Sequence, residues 1–261
     1  MTFTKIIPAL ICILLLSACG GGSSGPQAPQ NAVVLNSTNA TTYAQLATGF
    51  VDAGLTIVGT EASTIPVKQA LDTVIGQAFD KNRQTSNVVA GVIASEGCSG
   101  GGSTSFDSTD EYDAVSGNTT TTGTLTFNSC VELGMTISGS FSTSSVYNAT
   151  TGDYDDNGSG SITVAFDGFS FSMAMDYAQT GNTSNSNTST DLAFSISSTQ
   201  FEGFLVETTQ PLIGDGFQIS SGEMIVTGGA GTKLRLTFNS NSITVELDEG
   251  SGYQSHTVLY L

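Results

Sequence analysis

Residues 153–158, with the sequence DYDDNG, come nearest to a metal-binding motif. Asp153, Asp155 and Asn157 place side-chain oxygens at positions 1, 3 and 5 of a calcium loop, and a glycine follows at position 6. Position 12, which normally supplies a bidentate glutamate, is Val164, so another acid would have to complete the calcium shell. Because Asp and Asn are also typical of tight turns, two interpretations stay open: a polar turn, or a calcium site with these three residues as ligands.

A group of acidic residues and the single histidine are the other candidates for acid–base chemistry. Paired carboxylates serve glycoside hydrolysis, but the chain has no Trp to hold a sugar and no spacing that fixes two acids at a defined separation. We therefore interpret Asp107, Asp110, Glu111 and Asp113 as a solvated loop. His256 has no Ser or Cys partner in a defensible order, which indicates a surface or sheet-edge histidine. The sequence predicts no catalytic residue and no enzyme.

The first 25 residues contain an export signal. Lys5 is followed by an apolar run over residues 6–16, which is too short for a bilayer that needs about 20 residues. The run ends in Leu16-Ser17-Ala18-Cys19, which resembles the lipobox of bacterial lipoproteins. The resemblance implies removal of residues 1–18, a diacylglyceryl group on the Cys19 thiol, and a fatty acyl chain such as palmitate on the new amine. Several acyl chains make such an anchor effectively permanent.

Gly20 stands where Gram-negative lipoproteins retained in the inner membrane carry Asp, so the resemblance implies the outer membrane, on its periplasmic or surface face. Residues 20–31 are rich in Gly, Ser, Pro and Gln, which predicts a flexible tether with a reach of roughly 15–20 Å. We therefore expect the lipidated cysteine and its tether to occupy residues 19–40.

The charge distribution excludes several partners. Six Lys and Arg oppose 23 Asp and Glu, for a net charge of −17, and no Lys or Arg occurs between Gln84 and Thr232. Nucleic-acid binding needs cations that neutralise phosphates, so a nucleic-acid partner is excluded. We expect contact with the membrane through the anchor, and with an unknown envelope protein or a hydrophobic ligand.

Two cysteines remain after the signal and the lipid site, Cys98 and Cys130. In an exported domain such a pair most simply forms a disulfide. The chain-entropy model gives this closure an upper value of about 3.5–4 kcal/mol. Zinc binding is not expected, because two cysteines and one distant histidine do not make a zinc site.

The chain changes its hydrophobic period near residue 86. Residues 41–85 carry two stripes with helical spacing, one at Tyr43, Leu46, Ala47 and Phe50, the other over residues 67–79. These stripes predict one or two helices that pack on a sheet. From residue 88 onward apolar residues alternate with Ser and Thr, which is typical of strands with one buried face.

Two hairpins can be aligned from this alternation. Asp167-Gly168 is a two-residue turn signal. It predicts the cross-strand pairs Phe166–Phe169, Val164–Phe171 and Ile162–Met173. A second hairpin is predicted to pair Phe238 with Ile243, Leu236 with Val245, and Leu234 with Leu247. A shift of the pairing register by one residue would place the apolar side chains of one strand on the solvent-exposed face.

Residues 86–261 are thus expected to form an antiparallel β domain. The fold class is mainly β (α+β), a long meander that forms a curved half-barrel or a sandwich behind the N-terminal helices. The segments Phe127–Cys130, with Gly139, and Val226–Gly228, with Gly222, resemble uncharacterised β-rich lipoproteins of Gram-negative bacteria, a resemblance that implies location and fold but no activity.

Two functions are expected from these features. The first is a non-enzymatic structural or interaction module anchored in the outer membrane. The second is a carrier or binder of a hydrophobic ligand, since helices followed by a one-face-apolar meander resemble the half-barrels of periplasmic lipoprotein carriers. A hydrolase is a distant third. No cofactor is expected beyond the calcium ion considered above.

Overall fold

The structure is a computed structural model, which describes residues 25–55, 93–132, 134–166, 168–185, 187–198, 202–215 and 218–260. Cys19 and the second helical stripe lie outside these residues. The described elements are α1 (Ala40–Leu55), β1 (Ile93–Gly97), β2 (Ser103–Asp113), β3 (Asn118–Glu132), β4 (Met135–Asn148), β5 (Asp153–Phe166), β6 (Phe169–Asn182), β7 (Thr188–Ser198), β8 (Phe204–Gly214), β9 (Ile219–Thr227), β10 (Lys233–Asn239), β11 (Ser242–Asp248) and β12 (Gln254–Tyr260).

The strands of the described residues form one sheet of twelve strands in the order β1 to β12, each antiparallel to its neighbours. The sheet is open, with β1 and β12 as its edges. This confirms a mainly β fold with a long antiparallel meander. The single sheet decides against the sandwich, because no second sheet packs on it within the described part of the chain.

The sheet has one apolar face, which we call the inner face. The opposite, solvent-exposed face is called the outer face. This alternation follows from the period of two in a strand. The largest fully buried side chains of the inner face are Phe127, Phe171, Phe194, Phe204, Leu125, Ile137, Ile196, Leu212, Met224 and Leu234. Burying a side chain of this size contributes about 1.5–3 kcal/mol relative to leaving it exposed.

Both predicted hairpins are confirmed in their register. The β5–β6 hairpin pairs Phe166 with Phe169, Val164 with Phe171, and Ile162 with Met173. Gly168 in its turn has φ of 77°, which glycine adopts without strain. The β10–β11 hairpin pairs Phe238 with Ile243, Leu236 with Val245, and Leu234 with Leu247.

Helix α1 packs on β9, β10 and β11. It turns Ala44, Ala47 and Val51 into the core, where all three are buried. Small side chains at these positions let the helix approach the sheet closely. Asn36 accepts hydrogen bonds from the backbone of Thr38 and Asn39 just before the helix, at 2.9 and 3.2 Å.

The segment before the helix is built into the fold. The Val33 N–H donates to Gly203 O at 2.8 Å, and the Gly229 N–H donates to Val33 O at 2.6 Å. The Leu35 N–H donates to Thr232 Oγ1 at 2.9 Å, and both Val33 and Leu35 are fully buried. The predicted flexible tether over residues 19–40 is therefore wrong for residues 31–40, because two alternating apolar side chains hold this segment in the core.

No helix among the described residues is long and apolar enough to cross a bilayer.

Candidate functional site

The calcium-like residues lie in the extended strand β5. Side chains of a strand alternate between faces, so Asp153, Asp155 and Asn157 project in one line from the outer face, and all three are exposed. Asn182 Nδ2 donates to Asp153 Oδ1 at 2.6 Å, and Asn157 Nδ2 donates to Asp155 Oδ1 at 2.8 Å. The hydrogen bond from Asn182 is the main reason that the pKa of Asp153 lies below its ordinary value.

Neither the calcium-loop geometry nor the polar turn is right for these residues, because the turn between β4 and β5 lies at residues 149–152. An extended strand does not wrap its ligands around one ion as a calcium loop does. These carboxylates already accept amide donors, so strand β5 offers calcium no preformed loop.

Gly158, the glycine of the calcium-like segment, faces inward and makes room for aromatic rings. A Cβ added there would lie 2.3 Å from Cε1 of Tyr177 and 2.8 Å from Cε1 of Phe141. These two rings stack with their centroids 5.9 Å apart and their planes 3° from parallel. The glycine thus serves ring packing across strands rather than a sharp turn.

The acidic group predicted as a solvated loop is instead part of strand β2. Asp107, Glu111 and Asp113 are exposed, and Asp113 accepts hydrogen bonds from the Val115 N–H and the Ser116 hydroxyl. Asp110 belongs to the inward positions of the same strand. The error arises because a run of acids hides the period of two that the strand in fact follows.

His256 lies on the edge strand β12, as predicted. Its Nε2 is 3.1 Å from Thr41 Oγ1, a contact that joins the first turn of α1 to the edge of the sheet. His256 is the extra residue in β12 where the pairing with β11 shifts after Val245. The contact with a hydroxyl of the helix indicates a structural role for the histidine.

Cys98 and Cys130 form a disulfide with a Cα–Cα distance of 5.5 Å. Glu132 lies beside it and accepts hydrogen bonds from Ser99 N at 2.8 Å and Ser99 Oγ at 2.6 Å, and the bond from the Ser99 hydroxyl is the main cause of its lowered pKa. The two sulfurs and this carboxylate lie within 4.8 Å of one another. Because the sulfurs are bonded to each other, no thiolate remains as a metal ligand.

A continuous row of polar side chains crosses the inner face from β2 to β7. Each member is the direct cross-strand neighbour of the next. We call this the inner polar row; its members are Asp110, Thr121, Ser145, Asp156, Gln179 and Thr190. The Ser145 hydroxyl donates to Asp156 Oδ1, and Gln179 Nε2 donates to Thr190 Oγ1 at 3.0 Å. The row was not foreseen from the sequence.

Two oxygens on or beside this row are buried without a hydrogen-bond partner among the described residues, Asp110 Oδ1 and Thr143 Oγ1. Thr143 is 5% exposed and lies one inward position from Ser145 on β4. Asp156, by contrast, is engaged. Buried polar groups are normally satisfied, so these two oxygens mark a place where a donor is expected.

The outer face of β2–β7 carries hydroxyl and carboxylate side chains and no Lys or Arg. Hydroxyls pair across strands at Thr109–Thr122 (2.8 Å) and Thr163–Ser172 (3.0 Å). No Lys or Arg occurs in this stretch of the sequence. This face is therefore unsuited to phosphate or nucleic-acid recognition.

Comparison with known proteins returns no match. No protein family, curated protein or solved structure matches this chain.

Proposed function

We propose that this protein is a non-enzymatic lipoprotein, anchored in the outer membrane, that serves as a structural or interaction module of the cell envelope. The lipobox-like sequence at Cys19 and the disulfide between Cys98 and Cys130 both support an exported, anchored domain. A non-catalytic role is supported by His256, whose ring contacts a threonine hydroxyl of α1 at the edge of the sheet.

The proposal depends on the short segment of chain between Cys19 and the first contact with the sheet. Gly25 lies beside β6, where Oδ2 of Asp176 is 3.2 Å from the position that a Cβ on Gly25 would take. Residues 20–24 alone separate Gly25 from Cys19, and an extended chain spans at most about 3.5 Å per residue. A lipid on Cys19 would hold Asp176 of β6 within roughly 20 Å of the membrane.

The test compares the full chain with its Cys19→Ala variant in a Gram-negative host. We expect the unaltered chain in the outer-membrane fraction, with the mass of residues 19–261 plus lipid. We expect Cys19→Ala to carry no lipid and to leave that fraction.

Cys12→Ala is the matched control, because it removes a thiol upstream of the cleavage site and should leave lipidation intact. An unaltered chain that is free of the membrane and has an unmodified amino terminus contradicts the proposal.

A second candidate function, binding of a hydrophobic ligand, is favoured by the inner face. Its apolar surface over β2–β7 is interrupted by the inner polar row, and two buried oxygens there have no partner among the described residues. A plain core excludes such groups, because an unsatisfied buried oxygen costs about 1–3 kcal/mol. Mixed apolar and polar lining is typical of ligand sites.

Gentle extraction followed by mass spectrometry tests this second function. We expect a non-covalent amphiphile to leave the protein in organic solvent at near-equimolar amount. Protein that carries none, and whose stability does not respond to added amphiphiles, would remove this candidate without affecting the anchor.

A further inference from the structure

Strand β12 is one edge of the sheet, and part of it is exposed to solvent. Within the described part of the chain it pairs with β11 alone. Val258 and Tyr260 are 45% and 85% exposed, and both lie on the outer face, across from Thr244 and Ser242. An edge strand presents backbone N–H and C=O groups that can pair with a further strand. β12 therefore offers an accessible place for strand pairing.

The two edges of the sheet differ in their protection against such pairing. Proteins block an exposed edge with charged residues, Pro, bulges or a very short strand. β1 has five residues, contains Glu96 and is followed by the disulfide at Cys98. β12 has seven residues, none of them charged or Pro. Its bulge lies at His256, and residues 257–260 pair with β11 in unbroken register. β12 is thus the less protected edge.

Charge identifies the kind of strand that fits this edge. A basic partner would be attracted to the acidic outer face rather than to an uncharged edge. A strand with acidic residues would be repelled by a chain whose net charge is −17. Among the strands of the described residues, β4 and β12 carry no charged residue, and β4 already has a partner strand on each side. β12 of a second copy is therefore an uncharged strand with a free edge.

Antiparallel pairing of two β12 strands also keeps the nearby acids apart. Asp248 ends β11, and Glu249 follows it in the turn before β12. In an antiparallel pair these turns lie at opposite ends of a strand about 20 Å long, which exceeds the Debye length of about 10 Å at 0.1 M salt. Parallel pairing would place the turns side by side. Glu246, the other acid of β11, is neutralised by Arg235 at 2.7 Å.

We propose that β12 pairs with β12 of a second copy of this chain, antiparallel about a twofold axis at Val258, so that one sheet continues through both copies. Because both copies use the same strand, the assembly closes at two. The edges that remain free are the two β1 strands, which are the better protected ones. The inference rests on the interaction function proposed above and names a second copy as the partner.

Crosslinking of Val258→Cys tests the pairing. The full chain is produced in a Gram-negative host, intact cells are treated with a short bis-maleimide, and a reducing denaturing gel shows any chain of doubled mass. Residues directly opposite in an antiparallel pair have Cβ atoms about 4.5–5.5 Å apart, so the two new thiols should be joined. Val115→Cys is the matched control, because Val115 is 98% exposed in the turn between β2 and β3. We expect roughly 10-fold more doubled chain from Val258→Cys than from this control.

Sedimentation of the lipidated full chain in dodecyl maltoside measures the association without a new thiol. The unaltered protein should sediment as two copies. Val258→Asp should raise the dissociation constant about 10-fold or more, because two carboxylates would face each other across the axis. Val115→Asp adds the same charge far from β12 and should leave the dissociation constant unchanged. Melting temperatures, measured at concentrations where the protein is monomeric, should be similar for both variants, which shows that each is folded.

The outcomes separate this inference from the function on which it rests. Equal crosslinking of Val258→Cys and Val115→Cys, or a single copy at every concentration, overturns the pairing and leaves the lipid anchor unaffected. Crosslinking of Val258→Cys to a different envelope protein, with no doubled chain, overturns the second copy as partner but keeps an interaction module.

The unaltered chain supplies the background of the crosslinking experiment. With Cys98 and Cys130 in their disulfide, crosslinking of the unaltered chain would report a free thiol at Cys19 and contradict the anchor. The pairing would then still require that Val258→Cys exceed this background, and failure to exceed it overturns the pairing as well.

Discussion

At the scale of single residues, Asp and Asn recur as the last residue of a strand. Asp113, Asn148 and Asn182 end β2, β4 and β6, and each Oδ1 accepts a backbone N–H two residues on, at 2.9, 2.9 and 2.8 Å. Asp248 ends β11 in the same way. These side chains satisfy the backbone of the turns, so Asp and Asn at these strand ends serve the fold.

Asp248→Asn should make the protein less sensitive to acid. The backbone N–H groups of Gly252 and Gly250 donate to Asp248 and are the main causes of its lowered pKa. A lowered folded-state pKa gives stability that is present above the unfolded value of about 3.9 and lost as the pH falls through the folded value. The measurement is the urea concentration at the midpoint of unfolding, from pH 7 to pH 2. This midpoint should fall less for the variant than for the unaltered protein.

Glu249→Gln is the control for Asp248→Asn, since it removes a charge from the adjacent position without removing the acceptor of the turn. Equal pH profiles for Asp248→Asn and the unaltered protein would show that this turn does not contribute to acid sensitivity.

Gly158→Ala should destabilise the fold by about 1–3 kcal/mol through overpacking. The added Cβ would meet the Tyr177 ring at 2.3 Å, and the ring could move only by disturbing its stack on Phe141. Guanidinium unfolding measures the effect. Gly97→Ala, where a Cβ would meet nothing within 4 Å, should change stability little; similar losses for both variants would argue against the ring contact as the cause.

At the scale of elements, the two edges of the sheet are held differently. β1 has five residues and pairs only with β2 in the described sheet, and the disulfide next to it joins Cys98 to Cys130 on β3. β12 is fastened by the contact between His256 and Thr41 of α1. A covalent link thus stabilises the edge that has the shorter strand.

Cys98→Ala/Cys130→Ala should lower the free energy of unfolding by about 2–4 kcal/mol, because the open chain gains entropy when unfolded. Hydrogen exchange should rise first in β1 and at the β1–β2 turn, while β10 and β11 keep their protection. Uniform acceleration over the whole sheet would mean that the disulfide stabilises the fold globally rather than this edge.

At the scale of the whole molecule, the excess of acids over bases makes self-repulsion the dominant electrostatic effect. The net charge of −17 is spread over a sheet whose outer face from β2 to β7 carries no Lys or Arg. Salt screens repulsion between exposed charges, with a Debye length near 10 Å at 0.1 M. Added salt should therefore favour the folded chain in general, without regard to the ion.

Calcium should stabilise the protein no more than sodium at equal ionic strength. Asp153 and Asp155 already accept hydrogen bonds from Asn182 and Asn157, and they line up along a strand instead of surrounding one point. Thermal melts in millimolar calcium, in EDTA and in matched sodium chloride measure this. A calcium-specific rise that Asp155→Asn abolishes would establish a site at β5 after all.

The sequence by itself determined which face of most strands is buried and how two hairpins align, because a period of two and a two-residue turn are local properties. It also predicted the disulfide pair, since the expected signal and lipid site leave Cys98 and Cys130 as partners. Only the tertiary structure decided which residues of the other strands are cross-strand neighbours. It joined all strands in one sheet, drew residues 31–40 into the core through Val33 and Leu35, and aligned the inner polar row from residues far apart in sequence. Cross-strand neighbours depend on strand order and on bulges such as the one after Phe127, which no local pattern encodes.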